Sequence, residues 1–260
     1  LHVGAVLVLV GMAFKIAAVP FHMWAPDVYE GAPTPVTGFI STAAKAAGFA
    51  MLARIFLRGF WGLAEDWTLL LVVLSAASMT FGNVVAVVQD NVKRMLAYSS
   101  IGHAGYMLLG LIAVGSSGGD PSTQRYGLTA VVLYLLVYTF ATMGAFGTVV
   151  LLRRGEIAGD RVEDFRGLSR TYPVAAAAMT VFLLSLAGIP STAGFVGKWW
   201  LFGSAIKADY AWLAVLAVLN SAISLYYYVR VVAAMDVGGP EEEPPAPAPA
   251  GRRAAPACPP

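Results

Sequence analysis

The chain has 260 residues, of which 58% are hydrophobic and only 12% are charged, and its formal net charge is +2. So few charged side chains cannot cover the surface of a soluble globule of this size, and the composition is typical of a membrane protein. The small net charge and the absence of a basic run disfavour nucleic-acid binding. A single cysteine, Cys258, excludes an internal disulfide or a cysteine cluster, and no ligand set for flavin, haem or iron–sulfur is visible.

Seven apolar segments reach the length of about 20 residues that a membrane-spanning helix needs. They cover residues 1–25, 35–57, 67–88, 92–114, 126–152, 172–206 and 209–235. These segments predict an all-α polytopic membrane protein with about seven transmembrane segments. Segment 172–206 would extend about 50 Å as one helix, which is longer than a bilayer is thick. We therefore predict a broken helix at its central sequence, LAGIPSTAGF.

The first segment contains a similar interruption, VPFHMWAP, in which Pro20 and Pro26 are incompatible with a regular helix. Interrupted apolar segments in corresponding positions are typical of inverted repeats with an ion path at their interface. His22 lies within this break, either as a proton relay or as a cap on loose backbone.

The two ends of the chain differ from its centre. Leu1 lies inside an apolar run without the basic flank of a signal peptide, so we interpret the chain as part of a longer protein. Residues 236–260 are rich in Pro and Ala with a short acidic block, a composition that predicts a disordered loop or tail.

Basic residues distinguish the two sides of the predicted bundle, and the positive-inside rule assigns loops 26–34 and 153–171 to the cytoplasm. Eight basic residues on that side face four on the other: Lys93, Arg94, Arg153, Arg154, Arg161, Arg166, Arg170 and Arg230 against Arg54, Arg58, Arg125 and Lys207. Near the last of the eight, the run Tyr226–Tyr228 is typical of an aromatic anchor at the membrane surface.

Three lysines lie within the predicted spans, where an ammonium group is costly and usually serves transport. Lys45 lies about ten residues into its helix among small residues, and Lys198 follows Pro190 by eight residues. Lys15 precedes Pro20 by five residues, so carbonyls freed by the break are expected to accept its hydrogen bonds. The alternative is that these side chains extend to the membrane surface. We interpret the three lysines as candidate proton carriers.

His103 lies about ten residues inside the fourth span, with Ser99 and Ser100 on the preceding turn as candidate hydrogen-bond partners. Imidazole titrates near neutral pH and both accepts and donates protons, which suits a relay. A structural histidine with both nitrogens bonded is the alternative. Asp27 and Glu30 follow the first break and either receive protons or are simply solvated.

Three long motifs carry a family resemblance: FKIAAVPFHMWAPDVYEGAPTPVTGFISTAAK, DNVKRMLAYSSIGHAGY and FRGLSRTYPVAAAAMTVFLLSLAGIPSTAGFVGKWW. In this order they resemble the proton-conducting, antiporter-like membrane subunits of respiratory complex I, and DVYEGAPTPV is most similar to the subunit N branch of that family. The resemblance covers residues from about 10 to 235. It implies a fold of fourteen helices with two inverted five-helix repeats, each containing one discontinuous helix.

Under that resemblance, residues 1–57 hold the end of the first repeat and residues 67–235 hold the second. Lys15 then matches the lysine of the first broken helix, Lys45 the connecting lysine, and Lys198 the terminal lysine, while His103 lies on the hydrophilic axis between them. Members of the family pair the first lysine with a glutamate on an earlier helix, which here is expected before Leu1.

The resemblance also implies a function, namely proton translocation coupled to quinone reduction by a NADH:quinone oxidoreductase in the inner (plasma) membrane. The chain itself is expected to hold no cofactor, because quinone and NADH bind other subunits. Its expected partners are antiporter-like and small membrane subunits and the lipid bilayer. Two alternatives are a subunit of a multi-chain sodium/proton antiporter and a non-conducting structural membrane subunit.

Overall fold

The computed structural model describes residues 1–154 and 159–237, with only the backbone of Arg154. In this part of the chain all regular structure is helical, apart from one isolated antiparallel bridge between Asn91 and Arg161. The helices, in chain order, are α1 (His2–Ile16), α2 (Trp24–Gly31), α3 (Thr34–Gly59), α4 (Trp61–Val87), α5 (Val92–Gly115), α6 (Pro121–Arg154), α7 (Leu168–Thr171), α8 (Pro173–Ala187), α9 (Ala193–Lys207) and α10 (Ala211–Asp236). Of the predicted tail, residues 238–260 lie outside the described part of the chain.

The membrane-spanning prediction is confirmed in its number of segments and in both breaks. Among the described residues, five helices are long and apolar enough to cross a membrane, namely α3, α4, α5, α6 and α10. Two further apolar helices, α1 and α8, are shorter and are each followed by a break and a second helix. Together they make seven segments, of which two are discontinuous.

The second break separates α8 from α9 between Gly188 and Thr192. Gly188 has a φ of 81°, a left-handed conformation that ends the helix. The Thr192 hydroxyl caps α9 by accepting a hydrogen bond from the Phe195 N–H at 3.4 Å. The halves then pack so closely that a Cβ added to Gly194 would stand 1.6 Å from the carbonyl oxygen of Ser185. Only glycine permits this approach.

The first break, between α1 and α2, ends α1 in the same way but without a glycine. Ala17 has a φ of 58°, and the Ala18 N–H donates to the Ala13 carbonyl at 2.8 Å. The indole of Trp24, at the start of α2, donates to the Phe14 carbonyl at 3.0 Å. The break is held against α4 by a 2.9 Å hydrogen bond from the Val19 N–H to the hydroxyl of Ser78.

Helix α5 lies at the centre of the bundle, packed by α4, α6, α9 and α2, and nearly all of its residues are buried. Glycines on α4 and α5 let the two backbones touch. A Cβ on Gly82 would lie 2.6 Å from the Gly102 nitrogen, and one on Gly105 would lie 2.7 Å from the Met79 nitrogen. Small residues allow such close packing of membrane helices, and here the packing places Ser99, Ser100 and His103 in the bundle interior.

Helix α3 contains a feature that the sequence did not predict. Residues Ile40–Ala44 form a π-helical turn, and the helix resumes its α geometry at Lys45. The hydroxyls of Ser41 and Thr42, within this turn, both donate to the Gly38 carbonyl at 2.8 Å. Such turns occur frequently at functional sites.

One end of the bundle collects the loops that the count of basic residues had grouped together. The Arg94 guanidinium donates to the carboxylates of Asp27 and Glu30, each at 2.8 Å. The Val92 N–H donates to the Asp160 carbonyl at 2.7 Å. This end is called the basic end below, and its assignment to the cytoplasm stays a prediction.

Candidate functional site

Lys45 is buried, with a residue exposure of 2%, in an apolar bundle. Its ammonium nitrogen donates to the Ser100 carbonyl at 2.6 Å and to the Ser100 hydroxyl at 2.7 Å. The Tyr29 hydroxyl lies 3.3 Å from the same serine oxygen. Surface extension is thus excluded for Lys45, whose charge is stabilised by hydrogen bonds to the central helix.

Lys198 is also buried, at 3% exposure, and has an equivalent pair of acceptors. Its nitrogen donates at 2.7 Å to the Ala187 carbonyl and at 2.7 Å to the hydroxyl of Ser221. Ala187 is the last residue of α8, so its carbonyl has no partner within the helix and lies at the negative end of the helix dipole. The break in the helix therefore supplies an acceptor suited to a buried cation.

Lys15 differs from the other two lysines. It is exposed on α1, and it forms no hydrogen bond or ion pair with any described residue. The predicted acceptance of its hydrogen bonds by carbonyls of the break is wrong, because backbone N–H groups and the Trp24 indole occupy the carbonyls of Ala13 and Phe14. Its aliphatic stem still lies beside α3, since its Cγ would be 3.4 Å from a Cβ added to Gly48, one turn beyond Lys45.

His103 lies between the two buried lysines and has both ring nitrogens occupied. Nδ1 lies 2.7 Å from the Tyr134 hydroxyl and Nε2 lies 3.0 Å from the Tyr228 hydroxyl. The predicted partners on its own helix are wrong, because Ser99 bonds to Tyr228 and Ser100 bonds to Lys45. An imidazole bonded on both sides by hydroxyls can take up a proton at one nitrogen and release one from the other.

A second hydrogen-bonded group lies beside His103, formed by one asparagine and two tyrosines. The Asn83 amide donates to the Tyr106 hydroxyl at 2.9 Å, and its carbonyl oxygen accepts from the Tyr227 hydroxyl at 2.9 Å. The Tyr227 ring packs against Tyr228 with centroids 4.5 Å apart. This group is fully buried, so its hydrogen bonds hold the tyrosines around the histidine in fixed orientations.

Two tyrosine rings fill the spaces on either side of the histidine. The Tyr138 ring lies 5.3 Å from the His103 ring and 5.8 Å from the Lys45 nitrogen. The Tyr106 ring lies 5.7 Å from the His103 ring and 5.1 Å from the Lys198 nitrogen. Each lysine thus approaches the central histidine across one tyrosine.

A cleft of about 760 Å³ opens beside Lys198, between α9 and α10. Its walls are largely apolar, with Trp199 and Leu219 exposed on the outer side, and Lys198 and Ser221 are on its polar part. The other candidates from the sequence contribute less. His22 is buried against Phe81 with Nδ1 unpaired among the described residues. No group of His, Cys, Asp and Glu in the described part of the chain could hold a metal ion.

The tyrosines were the residues that sequence reasoning missed. The predicted aromatic anchor is wrong for Tyr227 and Tyr228, which are buried, while Tyr226 is exposed. Three consecutive helical residues point in directions about 100° apart, so they cannot share one environment. A usable signal was present on α6, where Tyr134, Tyr138 and Thr142 recur every four residues and form one polar stripe facing α5.

The chain matches a known family along most of its length. A family profile described as NADH:quinone oxidoreductase/Mrp antiporter, TM, matches residues 1–224. The NADH-quinone oxidoreductase subunit N of Trichlorobacter lovleyi is 51% identical over 244 residues, which cover 94% of this chain and 48% of that protein. Subunit N of Desulforamulus reducens is 49% identical over 245 residues, with 94% and 49% covered. The chain spans about half the length of the curated relatives it matches.

Solved structures show the same fold. One chain of respiratory complex I from Thermus thermophilus with bound Aureothin is 40% identical, with a TM-score of 0.73, covering 90% of this chain and 49% of that chain. One chain of the Mrp complex from Dietzia sp. DQ12-45-1b is 29% identical, with a TM-score of 0.81, covering 92% and 43%. The sequence match and the shared fold agree: the chain belongs to the NADH:quinone oxidoreductase/Mrp antiporter family of transmembrane proteins.

Proposed function

We propose that this chain is part of a subunit of a proton-pumping NADH:quinone oxidoreductase and that it conducts protons along an axis from Lys45 through His103 to Lys198. A line of buried polar groups inside an apolar bundle supports this function. Each buried lysine has two hydrogen-bond acceptors and lies about 5–6 Å from a tyrosine ring that also contacts His103. Buried ionisable groups in membrane spans typically mark ion paths.

Lys15 is proposed as the lysine that precedes Lys45 on this axis. The position of its stem beside α3 at Gly48 supports the assignment, because Gly48 lies one helical turn from Lys45. A change of charge near Lys15 would then drive its proton toward Lys45, and further transfers would pass through the His103 region to Lys198. The cleft beside Lys198 is the proposed side of release.

In this proposal the chain carries no redox group of its own. Its proton transfer is therefore coupled to quinone reduction through electrostatic and conformational changes. Quinone and NADH would bind to other subunits of the complex, and this chain would contact antiporter-like and small membrane subunits and lipid. The identity of about 50% to proteins named NADH-quinone oxidoreductase subunit N supports this assembly. As part of that assembly, the chain would be a multi-pass protein of the inner (plasma) membrane.

Substitution of the buried lysines tests the function. In the assembled complex, Lys45→Ala and Lys198→Ala are expected to reduce NADH-driven proton pumping about tenfold or more, because each removes a proton-transfer group. Lys15→Ala is expected to act in the same direction. Pumping is measured in inverted membrane vesicles by quenching of a pH-sensitive dye. Assembly of the complex is measured by the NADH:quinone reductase activity that the membranes retain.

The matched control is Lys207→Ala. Lys207 is exposed at the end of α9, with its nitrogen 3.9 Å from the centre of the Tyr126 ring, and it is not on the axis. Its variant is expected to pump at the normal rate. Normal pumping by an assembled Lys45→Ala complex would contradict the proposed function.

The sodium/proton antiporter subunit is the second candidate, favoured by the TM-score of 0.81 to a chain of the Mrp complex. The higher sequence identity to subunit N proteins favours the first. Sodium-dependent proton exchange in vesicles without quinone-reductase activity would decide for the antiporter. The structural-subunit alternative predicts normal pumping when Lys45 and Lys198 are replaced together.

A further inference from the structure

Helix α10 supplies hydrogen-bond partners to two groups of the proposed axis. The Ser221 hydroxyl accepts from the Lys198 ammonium at 2.7 Å, and the Tyr228 hydroxyl lies 3.0 Å from His103 Nε2. These two hydrogen bonds are called the α10 bonds below. Their residues on α10 are seven positions apart, or about 10 Å along one helix. A shift of α10 along its axis, or a rotation about it, would therefore change both bonds together.

Arg230 attaches α10 to the end of α4. Its guanidinium donates to the Val87 carbonyl at 3.2 Å, to the Gln89 carbonyl, and to the Asp90 carboxylate at 3.0 Å. Val87 is the last residue of α4, so its carbonyl has no partner within the helix and lies at the negative end of the helix dipole. A planar guanidinium can donate to several acceptors at once, which suits it to this place.

The backbone carbonyls, rather than the carboxylate, make this attachment rigid. The side chain of Asp90 is 86% exposed, whereas that of Arg230 is 28% exposed. Ion pairs with such an exposed partner contribute little, because water and salt screen them and the side chain is free to move. A carbonyl at the end of a helix keeps its position. The guanidinium is therefore held at a fixed height beside α4.

Helix α4 is in turn fixed relative to the axis. Its glycine contacts with α5, described above, leave little room for sliding, and α5 carries His103. One turn before the end of α4, the Asn83 side chain accepts from the Tyr227 hydroxyl at 2.9 Å. Tyr227 and Arg230 thus attach α10 to α4 at two successive turns. Of the two, only Arg230 lies outside the buried group around the histidine.

We propose that Arg230 is a positioning residue for proton transfer, which fixes the height and rotation of α10 against α4. It thereby holds the hydroxyls of Tyr228 and Ser221 at hydrogen-bond distance from the two proton-carrying side chains. Proton transfer requires such distances, and a displacement of about 1 Å is enough to slow a reaction strongly. The inference rests on the proposed function. It adds to that function a residue outside the axis, on which two connections of the axis depend.

Maps of the assembled complex test the positioning directly. In the Arg230→Met variant, cryo-electron microscopy is expected to show both α10 bonds lengthened beyond about 3.5 Å, the limit of a hydrogen bond. The matched control is Arg170→Met, which removes an exposed arginine of α7 whose side chain has no partner among the described residues. The control is expected to keep both bonds. A residue that only stabilises the fold would lower the stability of the complex and leave the two distances unchanged.

Proton pumping tests the consequence. Arg230→Met is expected to pump about tenfold more slowly, because two transfer distances are lengthened, while NADH:quinone reductase activity and assembly persist. Arg230→Lys keeps the charge but offers one nitrogen in place of the guanidinium fork, so it is expected to lie between the wild type and Arg230→Met in both bond lengths and pumping. If Arg230→Met does not assemble, Arg230→Lys decides: normal distances and normal pumping with lysine would overturn the proposal. Arg170→Met is expected to pump normally.

The outcomes separate this inference from the proposed function. Lengthened α10 bonds together with slow pumping in Arg230→Met, and neither change in the control, support the inference. Either change without the other overturns it. If Lys45→Ala abolishes pumping while Arg230→Met pumps normally, the axis stands and the role of Arg230 is overturned. If Lys45→Ala pumps normally, the proposed function fails and the role of Arg230 in proton transfer is overturned with it, whereas the maps still decide whether Arg230 holds α10 in place.

Discussion

The two discontinuous helices of this chain have the same plan but differ in the side chain that connects their halves. In each, a side chain from the second half reaches back to a carbonyl at the end of the first. In the α1–α2 pair it is the neutral indole of Trp24, which donates to Phe14. In the α8–α9 pair it is the ammonium of Lys198, which donates to Ala187.

The difference shows that a helix break frees carbonyl acceptors without determining whether a neutral or a charged donor uses them. Lys15 lies two residues before the first break on an exposed face, and the freed carbonyls beside it are already occupied. Lys198 lies in the second half, where its side chain crosses Gly188 to reach Ala187, and a Cβ on Gly188 would stand 2.7 Å from its Cδ. Which half carries the lysine therefore determines whether the break can stabilise its charge.

The largest difference between the two discontinuous helices is expected at one glycine of each. Gly194→Ala would place a methyl group 1.6 Å from a backbone oxygen of α8, so the halves must separate. We expect a loss of about 3 kcal/mol or more in the free energy of unfolding. Gly11→Ala in α1 meets no atom within 4 Å and is expected to be neutral or stabilising. Thermal unfolding of the purified protein checks both, and equal midpoints for the two variants would contradict the close packing of α8 with α9.

A smaller effect is expected from substituting the residue that ends the first half of each discontinuous helix. Gly188→Ala introduces a side chain at a φ of 81°, which costs about 1–2 kcal/mol, and it also displaces Lys198. Ala17→Gly relieves the left-handed conformation at the first break and is expected to stabilise by about 0.5–1 kcal/mol.

Pumping distinguishes these two exchanges further. Gly188→Ala is expected to slow it, because Lys198 loses its position over the break, whereas Ala17→Gly leaves the buried axis unchanged. A Gly188→Ala complex with normal stability and normal pumping would show that the lysine does not depend on the glycine.

The smallest effect is expected where the first discontinuous helix is attached to the central helix. Arg94→Met removes ion pairs from α5 to Asp27 and Glu30 on α2, which are partly exposed. We expect a loss of about 1 kcal/mol that shrinks as sodium chloride is raised. Arg54→Met, which removes an exposed arginine without an ion pair among the described residues, is the control. A loss for Arg94→Met that is independent of salt would mean that packing, not charge, attaches α2.

Much of this molecule follows from the order of its residues. A bilayer imposes a minimum length on apolar segments, so hydropathy alone located seven segments. Proline and glycine residues located both breaks. The cost of a buried ammonium singled out three lysines. Lys45 and Lys198 are buried, whereas Lys15 is exposed. Long motifs also indicated the family before any contact was known.

Only the tertiary structure decided which groups these residues meet. Hydropathy does not specify how a helix is rotated about its axis, and that rotation directs Lys15 outward and turns Tyr227 and Tyr228 toward Asn83 and His103. The partners of a buried charge come from distant parts of the chain, as Ser100 does for Lys45 and Ser221 for Lys198. They are brought together by close helix packing, so a local pattern can show that a charge needs partners but cannot name them.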